Sequence, residues 1–258
     1  MNIRSPNSSI AYLFDNIAKK YDLLNHILSF GQDILWRKNV IKFISNRQNI
    51  KLVDLATGTG DQLITIVNKC HNVSSAIGID IAQNMLNIAK QKFKKLHLHN
   101  KISLINANIL ELGLSDNCID IISISFGIRN IAGIQQSLSE IYRVLKPSGN
   151  LIILEFSIPQ NRIMKRIYLF YFRQILPKIG SWISGNKNAY HYLNQSVEEF
   201  PYGDDFVKIL TKEGFKKIQT KLLLNGIATI YFAEKKTKHS VSSTKKCLVK
   251  TMKRSEPV

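Results

Sequence analysis

The sequence predicts an α/β fold built on a seven-stranded, mostly parallel, doubly wound sheet that finishes in an antiparallel hairpin. Three observations lead there. Apolar runs rich in isoleucine and valine alternate with segments of helical periodicity, the pattern of repeated strand–helix units. The first run is followed by a glycine turn, and the second ends on an acid. Near the end of the chain, two strand-like segments flank Asn225-Gly226, a dipeptide that favours a hairpin turn.

The elements follow in order. "IKLVDLA", Ile50 to Ala56, is the first strand, and the helical "DQLITIVNKC" follows its glycine turn. "SSAIGID", Ser74 to Asp80, is the second strand. The helix after it, "IAQNMLNIAKQKFKKL", spaces Met85, Ile88 and Ala89 on one face. "KISLINAN" and "CIDIISISF" are the third and fourth strands. "IQQSLSEIYRVLK" is a helix with Leu138, Ile141 and Leu145 inward, and Pro147 and Gly149 are expected to stop it. "NLIILEF" is the fifth strand, and "FKKIQTKLLL" and "IATIYFAEK" form the hairpin.

A chain of 258 residues with 45% hydrophobic and 21% charged residues is globular in composition. No uninterrupted apolar stretch reaches the ~20 residues needed to cross a bilayer. The first residues lack the apolar core of a secretory signal. Three scattered cysteines suggest a reducing compartment, with no disulfide framework and no metal site. These features predict a cytoplasmic protein. The formal net charge of +18 implies attraction to something anionic. Part of that charge sits in the basic, serine- and threonine-containing segment 236–258, which has no core-forming periodicity and reads as a disordered tail.

"LVDLATGTGD" places Gly58 and Gly60 between the first strand and a helix, where glycine lets backbone approach a ligand. A dinucleotide fingerprint needs a third glycine, and Leu63 stands there instead, which argues against a pyrophosphate cradle. Asp80 ends the second strand about 20 residues on, suited to both ribose hydroxyls. The economical ligand is therefore a nucleoside with a small charged appendage, S-adenosylmethionine. Asp54 is placed either near its amino group or to orient the loop, Asn108 to contact the adenine, and Ser125 to lie under the methionine portion.

At this point "FDNIAKKYDLLNHILSFGQDILWRK", "DLATGTGD", "SFGIRN", "IYRVLKPSGNLIILEFS" and "YHYLNQSVEEFP", in order from about Phe14 to Lys235, resemble the UbiE-type C-methyltransferases of ubiquinone and menaquinone biosynthesis. The resemblance implies a class I S-adenosylmethionine-dependent methyltransferase with a helical cap, methylating a ring carbon of a polyprenylated quinol. It also implies that Thr59, Asp80, Asn108 with Ile109, and Ser125 are cofactor positions. The chain departs from the family pattern at Thr57, Ile109 and Asn194. Residues 1–235 are expected to form one methyltransferase domain, with a helical cover over 10–45 and an acceptor-side cap over 160–200.

Carbon methylation needs electron density on the ring, which a quinol supplies when a hydroxyl loses its proton. Arg129, directly after the fourth strand, brings a permanent charge to the ligand edge of the sheet and is expected to stabilise that quinolate. Its structural alternatives are capping a loop or an ion pair with Glu155. Asn130 is placed to hold an oxygen or a water. Proton removal is expected of a water, of His191 or of a neighbouring tyrosine. Asn161 to Lys187 is apolar around most of its circumference and interleaves aromatics with cations; no acid stands between Glu155 and Glu198. It reads either as a buried cap or as one that holds the isoprenoid tail while its cations meet anionic headgroups at the inner face of the membrane. The expected partners are thus the quinol and an anionic membrane, with a homodimer open and no nucleic acid. A nucleic-acid methyltransferase is the rival that the charge favours. Against it, Cys118 stands at the start of the fourth strand and not after it, and the following loop is Phe-Gly-Ile-Arg-Asn with no paired prolines.

Overall fold

The computed structural model describes residues 6–184 and 187–237; the side chains of 6–9 and 183–191, and the expected tail from 238 onward, lie outside the described residues. Helices α1 (Pro6–Leu28) and α2 (Gln32–Val40) precede β1 (Ile50–Leu55). The chain then alternates through α3 (Asp61–Lys69), β2 (Val73–Asp80), α4 (Gln83–Lys95), β3 (Ile102–Asn106), β4 (Ile119–Ser125), α5 (Ile134–Val144) and β5 (Leu145–Phe156). Helices α6 (Arg162–Phe170), α7 (Leu176–Ser184), α8 (Lys187–Glu199) and α9 (Asp204–Lys212) follow, before β6 (Phe215–Leu223) and β7 (Ala228–Lys235).

The seven strands lie in the order β3-β2-β1-β4-β5-β7-β6. All neighbours are parallel except the β5–β7 and β7–β6 pairs. Both faces of the sheet's centre are covered, so β1, β4 and β5 bury side chains on two sides. Val53, Leu55, Leu151 and Ile153 join one core with Leu138 and Ile141 of α5, while Leu52, Ile152 and Leu154 join the other with Leu63 and Ile66 of α3. The direction of winding reverses between β1 and β4, which opens a crevice at their carboxyl ends. The hairpin turn contains Asn225 and Gly226, both at positive φ.

The Pro147–Gly149 turn does not separate α5 from β5 as the sequence suggests. The helix ends at Val144, and Leu145 already pairs with Ile119 before the ladder resumes at Ile121 and Asn150. The turn is an irregularity inside the strand, with Ser148 at positive φ. Lys235, at the end of β7, donates to the carbonyls of Tyr142 (2.5 Å) and Leu145 (2.7 Å), satisfying acceptors at the end of α5.

Above the sheet's carboxyl edge, α1 joins two small cores. Its Ala18 packs with Ala82 and Met85, and its Leu24 packs with Tyr168, Phe172 and Val197. The Asn161 side chain caps α6 by accepting from the N–H groups of Ile163 and Met164. Between α6 and α7, residues Tyr171–Ile175 form a π turn, closed by Leu176 N–H donating to Tyr171 O. Pro177 explains its position: a proline there cannot donate to Arg173, so the ladder widens just before it. The Asn194 amide of α8 donates to the Phe172 carbonyl within that turn (2.7 Å), giving one of the atypical residues a structural use.

Candidate active site

The loops after β1 and β4 meet at the crevice, and both are bent hard. Ala56 and Phe126 hold φ of 50° and 59°, an uncommon conformation for residues with a side chain. Gly127 is required between them, because a Cβ there would run into the Ala56 methyl.

Asp80 stands at the end of β2 and lines a cleft with Ile81, Met85, Asn108, Ile109 and Ser125. Its two oxygens accept the N–H groups of Gly58 (2.7 Å) and Ala82 (2.9 Å). Burial raises the Asp80 pKa, and those backbone donors oppose the rise. Each carboxylate oxygen keeps a lone pair for a further donor. A carboxylate beside an apolar shelf of Ile81, Met85 and Ile109 fits the hydroxyls and flat base of an adenosine.

The remaining cofactor candidates divide between this cleft and its supports. Gly58, with open space where a Cβ would be, lines the cleft. Gly60 instead makes room for α4: a Cβ there would lie 2.5 Å from the Phe93 ring. Asn108 Oδ1 accepts Leu110 N–H, and Ser125 donates to Gln62 Oε1 (3.0 Å). Thr59 is buried and donates to Asp22 of α1 (2.6 Å), which Lys92 also contacts (2.6 Å), so α1 is tied to the glycine turn. Asp54 accepts from Thr57 (2.7 Å) and Ser123 (2.5 Å) and so orients the loop; burial pushes its pKa up to about 6.

A second, larger cavity of about 340 Å³ lies between α1, α2 and the α6–α7 segment. Its volume is that of a small-molecule site. Apolar side chains dominate its walls, among them Leu13, Ile17, Leu24, Ile167, Phe172 and Leu176. Phe14, Tyr21 and Phe126 line both this cavity and the Asp80 cleft, forming their common wall.

Arg129 faces the large cavity and is paired with Glu155 at 2.6 Å, their side chains 4% and 0% exposed. Its Nη1 also donates to the Phe126 carbonyl, its guanidinium lies 5.2 Å from the centre of the Phe156 ring, and its Nε–H has no partner. Burial raises the Glu155 pKa, and the Arg129 charge opposes this. Asn130 accepts from the Tyr192 hydroxyl (3.1 Å). The side chain of His191 lies outside the described residues.

Three lining residues escaped the sequence reading. Tyr21 touches the common wall, and Arg37 of α2 is buried beside it. Asp33, also buried, accepts from Ser29 (2.8 Å) and is bonded to His26 Nδ1 (2.8 Å). The i, i+4 spacing of Asp33 and Arg37 on an amphipathic helix was the only local signal for them.

Comparison with known families decides the assignment: the model of the ubiE/COQ5 methyltransferase family matches residues 3–235. The chain belongs to the ubiE/COQ5 methyltransferase family. Two members are similar over nearly their whole length. The ubiquinone/menaquinone biosynthesis C-methyltransferase UbiE of Geotalea daltonii is 42% identical over 226 residues, covering 88% of this chain and 96% of its own. The demethylmenaquinone methyltransferase of Bacteroides fragilis is 38% identical over 231 residues, covering 89% and 93%. A solved structure of a SAM dependent methyltransferase from Aquifex aeolicus aligns with a TM-score of 0.56 at 19% identity, over 77% of this chain and 88% of its own. At that identity the likeness shows the fold, which is the class I methyltransferase sheet with its antiparallel last pair.

Proposed function

We propose that this ubiE/COQ5 family member uses S-adenosylmethionine to methylate a ring carbon of a polyprenylated quinol in menaquinone or ubiquinone biosynthesis. The carrying observation is the common wall: a nucleoside-shaped cleft with a carboxylate and a large apolar cavity meet across Phe14, Tyr21 and Phe126. When bound, the cofactor supplies an electrophilic methyl group. Asp80 holds the ribose, and Asn108 and Ile109 hold the base. Ser125 and the loop of Ala56–Thr59 border the amino-acid end.

On the acceptor side, the apolar walls hold the isoprenoid end and exclude water from the ring. Asp33, anchored by Ser29, takes the quinol hydroxyl proton, and His26 behind it, 40% exposed, gives that proton a way to solvent. The unpartnered Nε–H of Arg129 donates to the quinolate oxygen as charge develops. Because Glu155 already balances the guanidinium, Arg129 acts there as a directed donor more than as a free charge. The negative charge delocalises to the ortho carbon, which forms the new carbon–carbon bond as the methyl–sulfur bond breaks and its electron pair stays on sulfur. The proton on that carbon then leaves to restore aromaticity while the ring oxygen regains one, so one proton is released per methylation.

Exposed apolar side chains, of which Phe30 and Ile167 also line the large cavity, support access from a membrane. Ile163, Ile167 and Phe170 of α6 are exposed beside exposed Arg162, Lys165 and Arg166, and Phe30 and Trp182 are 79% and 87% exposed. Apolar side chains with interleaved cations suit an anionic bilayer surface. Among the described residues no helix is long and apolar enough to cross the membrane. The test of the activity is mass spectrometry of products from S-adenosylmethionine with a demethylmenaquinol, a methoxy-polyprenyl-benzoquinol or bulk RNA. Carbon methylation of either quinol is expected. Methylation of RNA with neither quinol modified would overturn the proposal.

A further inference from the structure

Arg37 is a buried cation with no carboxylate in direct contact. It is 8% exposed, its Nε lacks a hydrogen-bond partner, and among the described residues it forms no salt bridge. Its guanidinium carbon lies 5.4 Å from the centre of the Phe126 ring, a weak substitute for a carboxylate. A guanidinium does not lose its proton in a protein, and a buried unpaired charge is costly. The buried Asp54 carboxylate acts on it only through space, so the guanidinium keeps room for an anion in direct contact.

The surroundings indicate which anion. Arg37 borders a small polar recess under the glycine turn, along with Asp54, Gly58, Thr59, Gln62 and Ser125. The recess shares Tyr21, Ala56, Gly58 and Ser125 with the Asp80 cleft, so it continues that cleft beyond the ribose position. The other polar groups around it are already engaged. Asp54 accepts from Thr57 and Ser123, Thr59 donates to Asp22, Asp61 pairs with Lys92, and Gln62 accepts from Ser125. Arg37 is the cation among the residues lining the recess, and its Nε–H is unpartnered.

We propose that Arg37 is the receptor for the carboxylate of the cofactor's amino-acid end, using its planar fork as a bidentate donor. This rests on the cofactor reading above and adds to it a residue that lies upstream of the sheet, on the helical cover. It also places a ligand-holding group on α2, which carries Asp33 of the acceptor cavity one turn earlier. One helix thereby positions the anionic end of the cofactor and the group that receives the quinol proton.

The experiment is calorimetric titration of the full chain with S-adenosylhomocysteine, which carries the carboxylate, and 5′-methylthioadenosine, which lacks the amino-acid end. Arg37→Met should weaken S-adenosylhomocysteine roughly 10- to 100-fold, the worth of hydrogen bonds to a charged group, and leave methylthioadenosine within about twofold. Arg37→Lys should recover part of the loss and serves as the second variant should the methionine form fail to fold. Equal losses for both ligands would make Arg37 structural, and no loss for either would assign it to the acceptor; each overturns the proposal. Failure of the wild-type chain to bind S-adenosylhomocysteine would instead overturn the cofactor reading itself.

Discussion

Replacing Arg129 by methionine does two things at once, and the buried pair allows them to be separated. Glu155 is fully buried, and its oxygens otherwise accept only the backbone N–H groups of Phe156 (2.8 Å) and Arg129 (3.4 Å). Breaking a buried pair by removing one partner costs about 3–5 kcal/mol, and the remaining backbone donors point to the lower end of that range. The penalty belongs to the ionised carboxylate, whose pKa burial already raises. Removing the guanidinium raises it further. Charged Glu155 then destabilises the variant above its folded pKa and does so less as pH falls and the carboxyl protonates. Urea unfolding at pH 8 and pH 5 should show the deficit shrinking on acidification. The double variant Arg129→Met/Glu155→Leu removes the stranded charge and should recover most of the stability, because apolar replacement of buried pairs is often neutral. It should still lose ~10²–10³ in turnover of a quinol, the loss typical of a missing charge-stabilising donor, with S-adenosylhomocysteine affinity nearly unchanged. A double variant that is folded and turns over near the wild-type rate would refute the reasoning and leave Arg129 as a structural residue.

Asp80→Asn should weaken S-adenosylhomocysteine by calorimetry while the melting temperature changes little, since the amide oxygen can still accept one of the two backbone N–H groups. Asp33→Asn should lower quinol turnover by ~10²-fold or more while leaving S-adenosylhomocysteine affinity intact; turnover near the wild-type rate would exclude Asp33 as the proton acceptor. Asp54 has a pKa raised from 3.8 to about 6, so its contribution to stability is fully present below the lower value and is lost as pH rises through the upper one. Asp54→Asn should therefore gain on the wild type by up to about 3 kcal/mol between pH 4 and pH 7, measured by chemical unfolding. Phe30→Ser with Trp182→Ser should reduce sedimentation with phosphatidylglycerol vesicles but not methylation of a short-chain quinol; unchanged sedimentation would remove these exposed side chains from the membrane reading.

The sheet was legible because its signals are local. Isoleucine-rich runs such as Ile119–Ser125 read as strands without reference to anything distant, and Asn225-Gly226 marks its own turn. The glycines of the first loop were legible only as glycines. Gly58 and Gly60 look alike in sequence, yet one borders the cleft and the other yields space to Phe93, a difference created by packing across 33 residues. The end of α5 was misjudged for a related reason: Pro147 and Gly149 do mark a turn, but pairing of Leu145 with Ile119 starts the strand before it. Arg37, Asp33 and Tyr21 were read as parts of a helical cover, because nothing nearby in sequence reveals that the cover closes over the sheet edge.

The common wall has a thermodynamic consequence. Phe14 and Tyr21 belong to α1, and α1 is fastened to the glycine turn through Asp22. A ligand on either side would contact the same three aromatic rings, so any ordering of them by the first ligand would favour the second. Linkage requires the effect to be mutual: whatever factor the cofactor adds to the affinity for the acceptor, the acceptor returns to the cofactor.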